Sequence, residues 1–402
     1  MIRLDCRVHG RRAHRLATLR QTITNALLMT AVVSMATPVT AQDCATPGQW
    51  LTPGNQHAEA QPPMGWDRLA RQRVVLLGEQ HDQAAHHRWQ LSTITALHSR
   101  QADMAIGLEM LPRKVQPALD QWVAGELDES QLLDRTQWYR YWGRDAERYL
   151  PILRFARDHR LPLIALNVTP EQRRELSDPA SHQWTLDQRH GVPVPLAASA
   201  RYRQRLMESF EQHSSEQLSS HISEAFIRAQ LVWDSSMAAA LANASHQHSL
   251  VVAILGLGHV QYADGVPHQL TRYGISDVTG LMPMAAADAC LAPTGVADAL
   301  FIAEPDAPSA DTPRLGINVE RTPQPLGPDR LVITAISPDS PAQYAGLEEG
   351  DQVVAIAGHE VRDTAQVRAL MARSLPGSLI PVEVLRAGER RQQLVTLPSP
   401  SP

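Results

Sequence analysis

Apolar residues in this chain fall into short unbroken runs separated by longer stretches of mixed polarity. Val74-Val75-Leu76-Leu77 has no polar alternation and predicts a strand buried on both faces of a parallel sheet. Met104–Leu108, Leu163–Leu166 and Leu250–Leu255 read the same way. After the first run, Leu91, Ile94 and Leu97 recur at helical spacing on one face. Strands alternating with helices imply crossover connections, so residues 65–288 are expected to form an α/β domain: a mainly parallel sheet flanked by helices. Pro193 and Pro195 interrupt the pattern. A long helical stretch from about Leu206 to Leu241, in one piece or two, then predicts a helical insert over the sheet edge.

The ends of the chain follow other rules. Residues 1–25 carry Arg3, Arg7, Arg11, Arg12, Arg15 and Arg20 against Asp5 alone. The uncharged run Ala26–Ala36 is too short to span a bilayer, and Val39-Thr40-Ala41 supplies small residues for cleavage. Residues 1–41 are therefore expected to be a Sec-type signal peptide, with the mature protein periplasmic or in the cell envelope. Its removal leaves 31 basic against 41 acidic residues, a balance that argues against nucleic acid as a partner. Cys44 and Cys290 would then be the remaining cysteines, either bridged across a long loop or free buried thiols. Residues 42–64 read as a surface lead-in, and the Ala/Pro/Asp-rich 289–313 as a linker.

Chemistry concentrates where the apolar runs end. Gly78-Glu79-Gln80-His81 follows the first run, and Gly256-Leu257-Gly258-His259 follows the last. Open α/β sheets gather ligands at the carboxyl ends of their strands. Both imidazoles are thus expected at one sheet edge, with Glu109 added by the end of Met104–Leu108. Glu79, His81, Glu109 and His259 together make a reasonable shell for a divalent metal ion, or an acid–base set. The alternative is that these groups bind loop backbone and cap helices. His86 and His87 point about 100° apart on a helix and are expected at the surface or behind the site. Trp138, Tyr139, Tyr141, Trp142 and Tyr149 form an aromatic cluster that serves either as core or as the lining of an apolar pocket. Tyr262, three residues after His259, is better placed to meet the site. There is no Gly-x-Ser-x-Gly elbow, P-loop, HExxH helix or dinucleotide fingerprint after the first strand.

Two stretches resemble known families. Residues 314–398 contain Leu315-Gly316-Ile317, Ser337-Pro338-Asp339-Ser340-Pro341, Ala345-Gly346-Leu347 and Gly350-Asp351. They resemble a small β-rich PDZ domain of the HtrA type, which implies capture of a partner's carboxyl terminus, with Leu315, Gly316 and Ile317 at the peptide. Residues 74–283 resemble the ChaN haem-binding proteins of the Tiki/TraB/EreA superfamily. The resemblance rests on Leu77–Asp82, Gly107–Met110, Gln116–Asp120, Trp138 with Trp142-Gly143, Pro162–Asn167, Ala229-Gln230 with Trp233-Asp234 and Met237-Ala238, and Gly256–His259. It implies export, haem or iron uptake, and in some members haem held between two subunits by a tyrosine, hence a homodimer. On that reading His81, His259 and Tyr262 are the candidate haem-binding residues. The wider superfamily also implies an alternative, a metal-dependent hydrolase or protease whose active site falls on Glu79, His81, Glu109 and His259. A third reading is a non-catalytic scaffold in which only the PDZ domain binds.

Overall fold

The computed structural model describes residues 45–55, 57–213, 220–289, 291–306, 312–323 and 329–399. The expected signal peptide, Cys44 and Cys290 lie outside them.

The unbroken apolar runs form the middle of one sheet. In chain order its strands are β1 Trp50–Leu51, β2 Ala58–Glu59, β3 Val74–Glu79, β4 Met104–Pro112, β5 Leu163–Asn167, β6 Leu250–Gly256, β7 Val278–Met284 and β8 Ala299–Ile302. They lie in the order β2-β1-β8-β7-β3-β6-β4-β5. The pairings from β8 to β5 are parallel; β1 joins β8 and β2 antiparallel at one edge. The helices that matter for the site are α1 Ala84–His98, α2 Trp138–Tyr141, α3 Leu150–Asp158, α4 Ala200–His213, α5 Ser220–Ser245 and α6 Leu257–Val260.

Register decides which residues share a face. Leu77 pairs with Ile254, which pairs with Leu108. Successive side chains point to opposite faces of a strand. Val75, Leu77, Ile106, Leu108, Val252 and Ile254 accordingly pack with Trp89, Ile94 and Leu97 of α1. Val74, Leu76, Val251, Ala253 and Leu255 pack on the other face with Met237 and Leu241 of α5. Two-sided burial is why these strands carry no polar alternation.

Two expectations need correction. The stretch 289–313 is not all linker, because Ala299–Ile302 pairs with β7 and β1 inside the sheet. The lead-in likewise contributes Trp50, which packs against Trp66, Trp89 and Phe301. Short strands of two and four residues leave too little periodicity to stand out from Pro- and Ala-rich surroundings. The helical insert is in two pieces, α4 and α5. Among the described residues no helix is long and apolar enough to cross a membrane.

The carboxyl-terminal region forms a separate antiparallel sheet from β9 Ile317–Thr322, β10 Arg330–Ile336, β11 Gln352–Ile356, β12 His359–Glu360, β13 Leu379–Arg386 and β14 Glu389–Thr396. Helix α7, Thr364–Arg373, is capped by the Asp363 carboxylate accepting from Ala365 N–H. Its core holds Leu331, Val353, Leu370, Val382 and Val395. Strand β9 ends the sheet and pairs only with β10 among the described residues. Of the expected peptide-binding residues, Leu315 is buried in this core and its carbonyl accepts from Ala342 N–H. Gly316 has φ +80°, and a Cβ there would stand 2.2 Å from that of Ser340, so only glycine suits the turn. Ile317 opens the free-edged β9.

Candidate functional site at the sheet rim

The carboxyl ends of β3 and β6 meet at Glu79 and Gly256, which pair in register. Glu79 follows the parity of Val75 and Leu77 and therefore points to the α1 face. It is 2% exposed. Tyr149 Oη–H donates to its Oε1 at 2.6 Å, and His81 Nδ1 lies 2.8 Å from the same oxygen. His87 Nε2 stands 3.2 Å from Oε2. Burial raises the carboxyl pKa, but the His81 and His87 contacts outweigh it and hold Glu79 well below the usual carboxylate range.

An ionised carboxylate only accepts, so His81 Nδ1 carries a proton and neutral His81 has its lone pair on Nε2. That edge of the ring lies over Gly256: a Cβ on Gly256 would stand 2.9 Å from His81 Cε1 and 3.1 Å from Nε2. Trp142 closes one side, edge-on at 4.6 Å between ring centroids. The loop is pinned from behind. Gln80 N–H donates to His86 Nδ1, Arg148 donates to the Asp82 carbonyl, and Asp306 accepts from Ala84 and Ala85 N–H at the start of α1. Burial and the nearby His87 push His86 down to about 4.

Glu109 has the parity of Leu255 and points to the other face. Its Oε2 accepts from Gly256 N–H at 2.5 Å, and its Oε1 lies 3.6 Å from His259 Nε2. His259 Nδ1 is 2.6 Å from Asp234 Oδ1 on α5, and Tyr202 Oη–H on α4 donates to Asp234 Oδ2 at 2.6 Å. Burial alone would lower the His259 pKa. Flanked by Glu109 and Asp234, it is instead pushed up to about 9. A cavity of about 290 Å³ opens beside it under α4 and α5, lined by Tyr202, Leu206, Phe226, Gln230, Gly258 and His259.

The rim therefore has two halves, separated by Gly256 and the Glu109 carboxylate. Both imidazoles reach the expected edge. The two glutamates do not share a site as expected, because the pleat sends Glu79 and Glu109 to opposite faces. Among the described residues no three of His, Cys, Asp or Glu are grouped to hold a metal ion, so the four-residue shell is not formed. Tyr262, at φ +59°, has its ring covered by the Arg201 and Arg205 guanidiniums at 4.6 and 4.8 Å. His86 and His87 are buried rather than at the surface. The aromatic cluster is both core and lining: Trp138 and Tyr149 are buried, and Trp142 and Tyr149 reach the His81 half. Sequence reasoning missed Tyr149 as a partner of Glu79, and Tyr202 and Asp234 entirely as site residues. Asp234 left two signals, a lone carboxylate directly after the apolar stretch Leu231-Val232-Trp233 and a place in the Trp233-Asp234 pair that carries the family resemblance.

The His259 arrangement has a testable pH signature. An imidazole whose folded pKa is raised from 6.5 to about 9 contributes stability that is complete below pH 6.5 and lost as pH rises through 9. Denaturation midpoints are expected to fall across that window, by up to about 3 kcal/mol of unfolding free energy. Asp234→Asn should flatten the fall. A flat profile in the unaltered chain would show that His259 is not held as an imidazolium.

Comparison with known proteins agrees with this architecture. The family described as haem-binding uptake, Tiki superfamily, ChaN matches residues 65–270, and a PDZ-domain family matches 332–386. The ChaN protein of Campylobacter jejuni, solved with cofacial haem, superposes with a TM-score of 0.53 at 17% identity, covering 64% of this chain and 96% of that one. At that identity the likeness establishes the fold. A probable periplasmic DegP-like serine endoprotease of Halomonas elongata and the magnetosome formation protease MamE of Magnetospirillum gryphiswaldense are each 36% identical over 70 residues, 17% of this chain. The chain spans only 15% and 9% of those relatives' lengths. With residues 65–270 making up more than half of its 402 residues, the chain belongs to the ChaN haem-binding uptake family of the Tiki superfamily and carries a PDZ domain behind that domain.

Proposed function

We propose that this is an exported haem- or iron-handling protein whose PDZ domain brings it to the carboxyl terminus of a partner. The observation that carries the reading is His81. Its Nδ1 is tied to a buried carboxylate, which fixes the ring and leaves Nε2 as the free edge, as the carboxylate partner of a metal-bound histidine does. The side chain is 23% exposed, beside the indole of Trp142 and over a residue with no side chain. These features fit a residue that would hold a haem iron. When bound, the haem supplies a redox-active iron centre. His81 would hold it, Glu79 would orient His81, and Trp142 would cover one side against water. The cavity of about 290 Å³ belongs to the His259 half of the rim and is not lined by His81, so a tetrapyrrole on the partly exposed His81 would lie at the surface, where a second copy of the chain would cover it.

Export is supported by the arginine-rich start, the apolar run to Ala36 and the periplasmic description of one relative. Partner recognition is supported by the free edge of β9, where an extended peptide can add a strand. The hydrolase alternative would need Glu79, His81, Glu109 and His259 around one metal ion, and among the described residues no three of His, Cys, Asp or Glu are so grouped.

Titrating the purified protein with hemin is expected to give a shifted Soret band at micromolar concentrations. His81→Ala should weaken the binding at least about tenfold, the loss of about 1.4 kcal/mol or more from one iron–ligand contact. Absence of a shift in the unaltered chain, or equal affinity in His81→Ala, would refute the assignment.

A further inference from the structure

The PDZ domain meets the α/β domain at the foot of the aromatic wall beside His81. Helix α7 brings two alanines and an arginine to the contact, and the segment just before it brings a second arginine. Ala365 and Ala369 are buried in the same apolar cluster as Trp138, Tyr139 and Tyr149. Ala365 Cβ is 3.9 Å from the position of a Cβ on Gly143, the residue after Trp142. Arg373 donates to Glu147 at 2.8 Å and lies 3.8 Å from Asp145; Arg362, just before the helix, pairs with Asp134.

The residues that touch the PDZ domain continue directly into those that hold the site. Glu147 reaches Arg373, Arg148 donates to the Asp82 carbonyl, and Tyr149 donates to Glu79. Three consecutive residues thus join a helix of one domain to the backbone and the carboxylate that set His81. The Trp142-Gly143 turn makes a second connection: Gly143 lies next to Ala365, and Trp142 meets the His81 ring.

We infer that α7 of the PDZ domain is a positioning element of the rim: its seating on residues 142–149 holds Trp142 and Tyr149 against His81 and Glu79. The buried alanines supply the packing. The ion pairs are half-exposed and individually weak, and they fix where along the segment the helix sits. Arg362, Arg373, Asp134 and Glu147 then act on the site through other residues.

The experiment uses the full chain with Arg373→Glu, Glu147→Arg and the two together. It reads hemin affinity from the Soret band and backbone hydrogen exchange over residues 79–83 and 142–149. Each single reversal is expected to weaken hemin binding about threefold, the scale of an exposed ion pair turned repulsive. Each should also speed exchange in both segments, and the double reversal should restore both readouts. Ala365→Glu, which places a carboxylate in the buried contact, should have a larger effect; if that variant does not fold, the charge swaps decide. Exchange over 79–83 that is unchanged in the single reversals would overturn the inference, as would a double reversal that restores nothing. The hemin arm rests on the proposed haem reading. If the unaltered chain binds no hemin, that reading fails alone, and the exchange pattern still decides whether α7 positions the rim.

Discussion

Glu79→Ala should destabilise the chain by about 3–5 kcal/mol, the scale of breaking a buried charge network by removing one partner. The carboxylate is 2% exposed and accepts from Tyr149 and His81 while facing His87. Alanine would leave the buried Tyr149 hydroxyl and the His81 Nδ1 without their common acceptor, and the buried His87 without the carboxylate it faces. Urea denaturation of the variant measures the loss; a loss below about 1 kcal/mol would mean that the network rearranges freely. Acid gives an independent reading. A carboxyl held below its ordinary 4.5 contributes stability that is present above pH 4.5 and lost as pH falls below it. Glu79→Gln keeps most of the shape and removes the titration, so its stability should depend less steeply on pH below 4.5.

An effect on ligand binding as large as that of removing His81 is expected from one methyl group. Gly256→Ala would set a Cβ 2.9 Å from His81 Cε1, inside the contact distance that carbon atoms tolerate. The backbone there, at φ −59° and ψ 143°, is one that alanine adopts freely. The strain therefore falls on the imidazole and not on the strand. His81 must leave its bond to Glu79 or tilt into Trp142. We expect hemin affinity to drop at least about tenfold while stability changes by no more than about 1–3 kcal/mol, the usual range for an added methyl group. Gly258 is the matched control, since a Cβ there meets nothing within 4 Å. Gly258→Ala should bind hemin as the unaltered chain does. Equal affinity in Gly256→Ala would show that the ligand does not meet His81 over this glycine.

The legibility of the site followed the range of the interactions behind it. His81 and His259 were readable because each follows an apolar run after a glycine, and parallel strands end at one edge. Tyr149 was visible as an aromatic residue, but its role depends on a contact 70 positions away in the chain. Asp234 and Tyr202 sit on helices whose apolar stripes say only that they pack, not that one carboxylate among them meets His259. Tyr262 was singled out because it follows His259 closely in sequence, which does not say where its ring points. Its positive φ turns the chain there, and two arginines from α4 cover its ring.

Hydrophobic pattern alone was enough to specify the centre of the molecule. Four-to-six-residue apolar runs, alternating with helical stretches, satisfy their backbone groups and hide both faces inside a helix-covered parallel sheet. That places Glu79, Gly256 and Glu109 at one rim. What it could not decide was the face to which each points. Strand residues alternate sides, so a slip of one position would exchange the faces of a whole strand. The pairing of Leu77, Ile254 and Leu108 is set by packing between segments far apart in the chain. Only the tertiary structure therefore parts the two carboxylates across the sheet and gives His81 and His259 different surroundings.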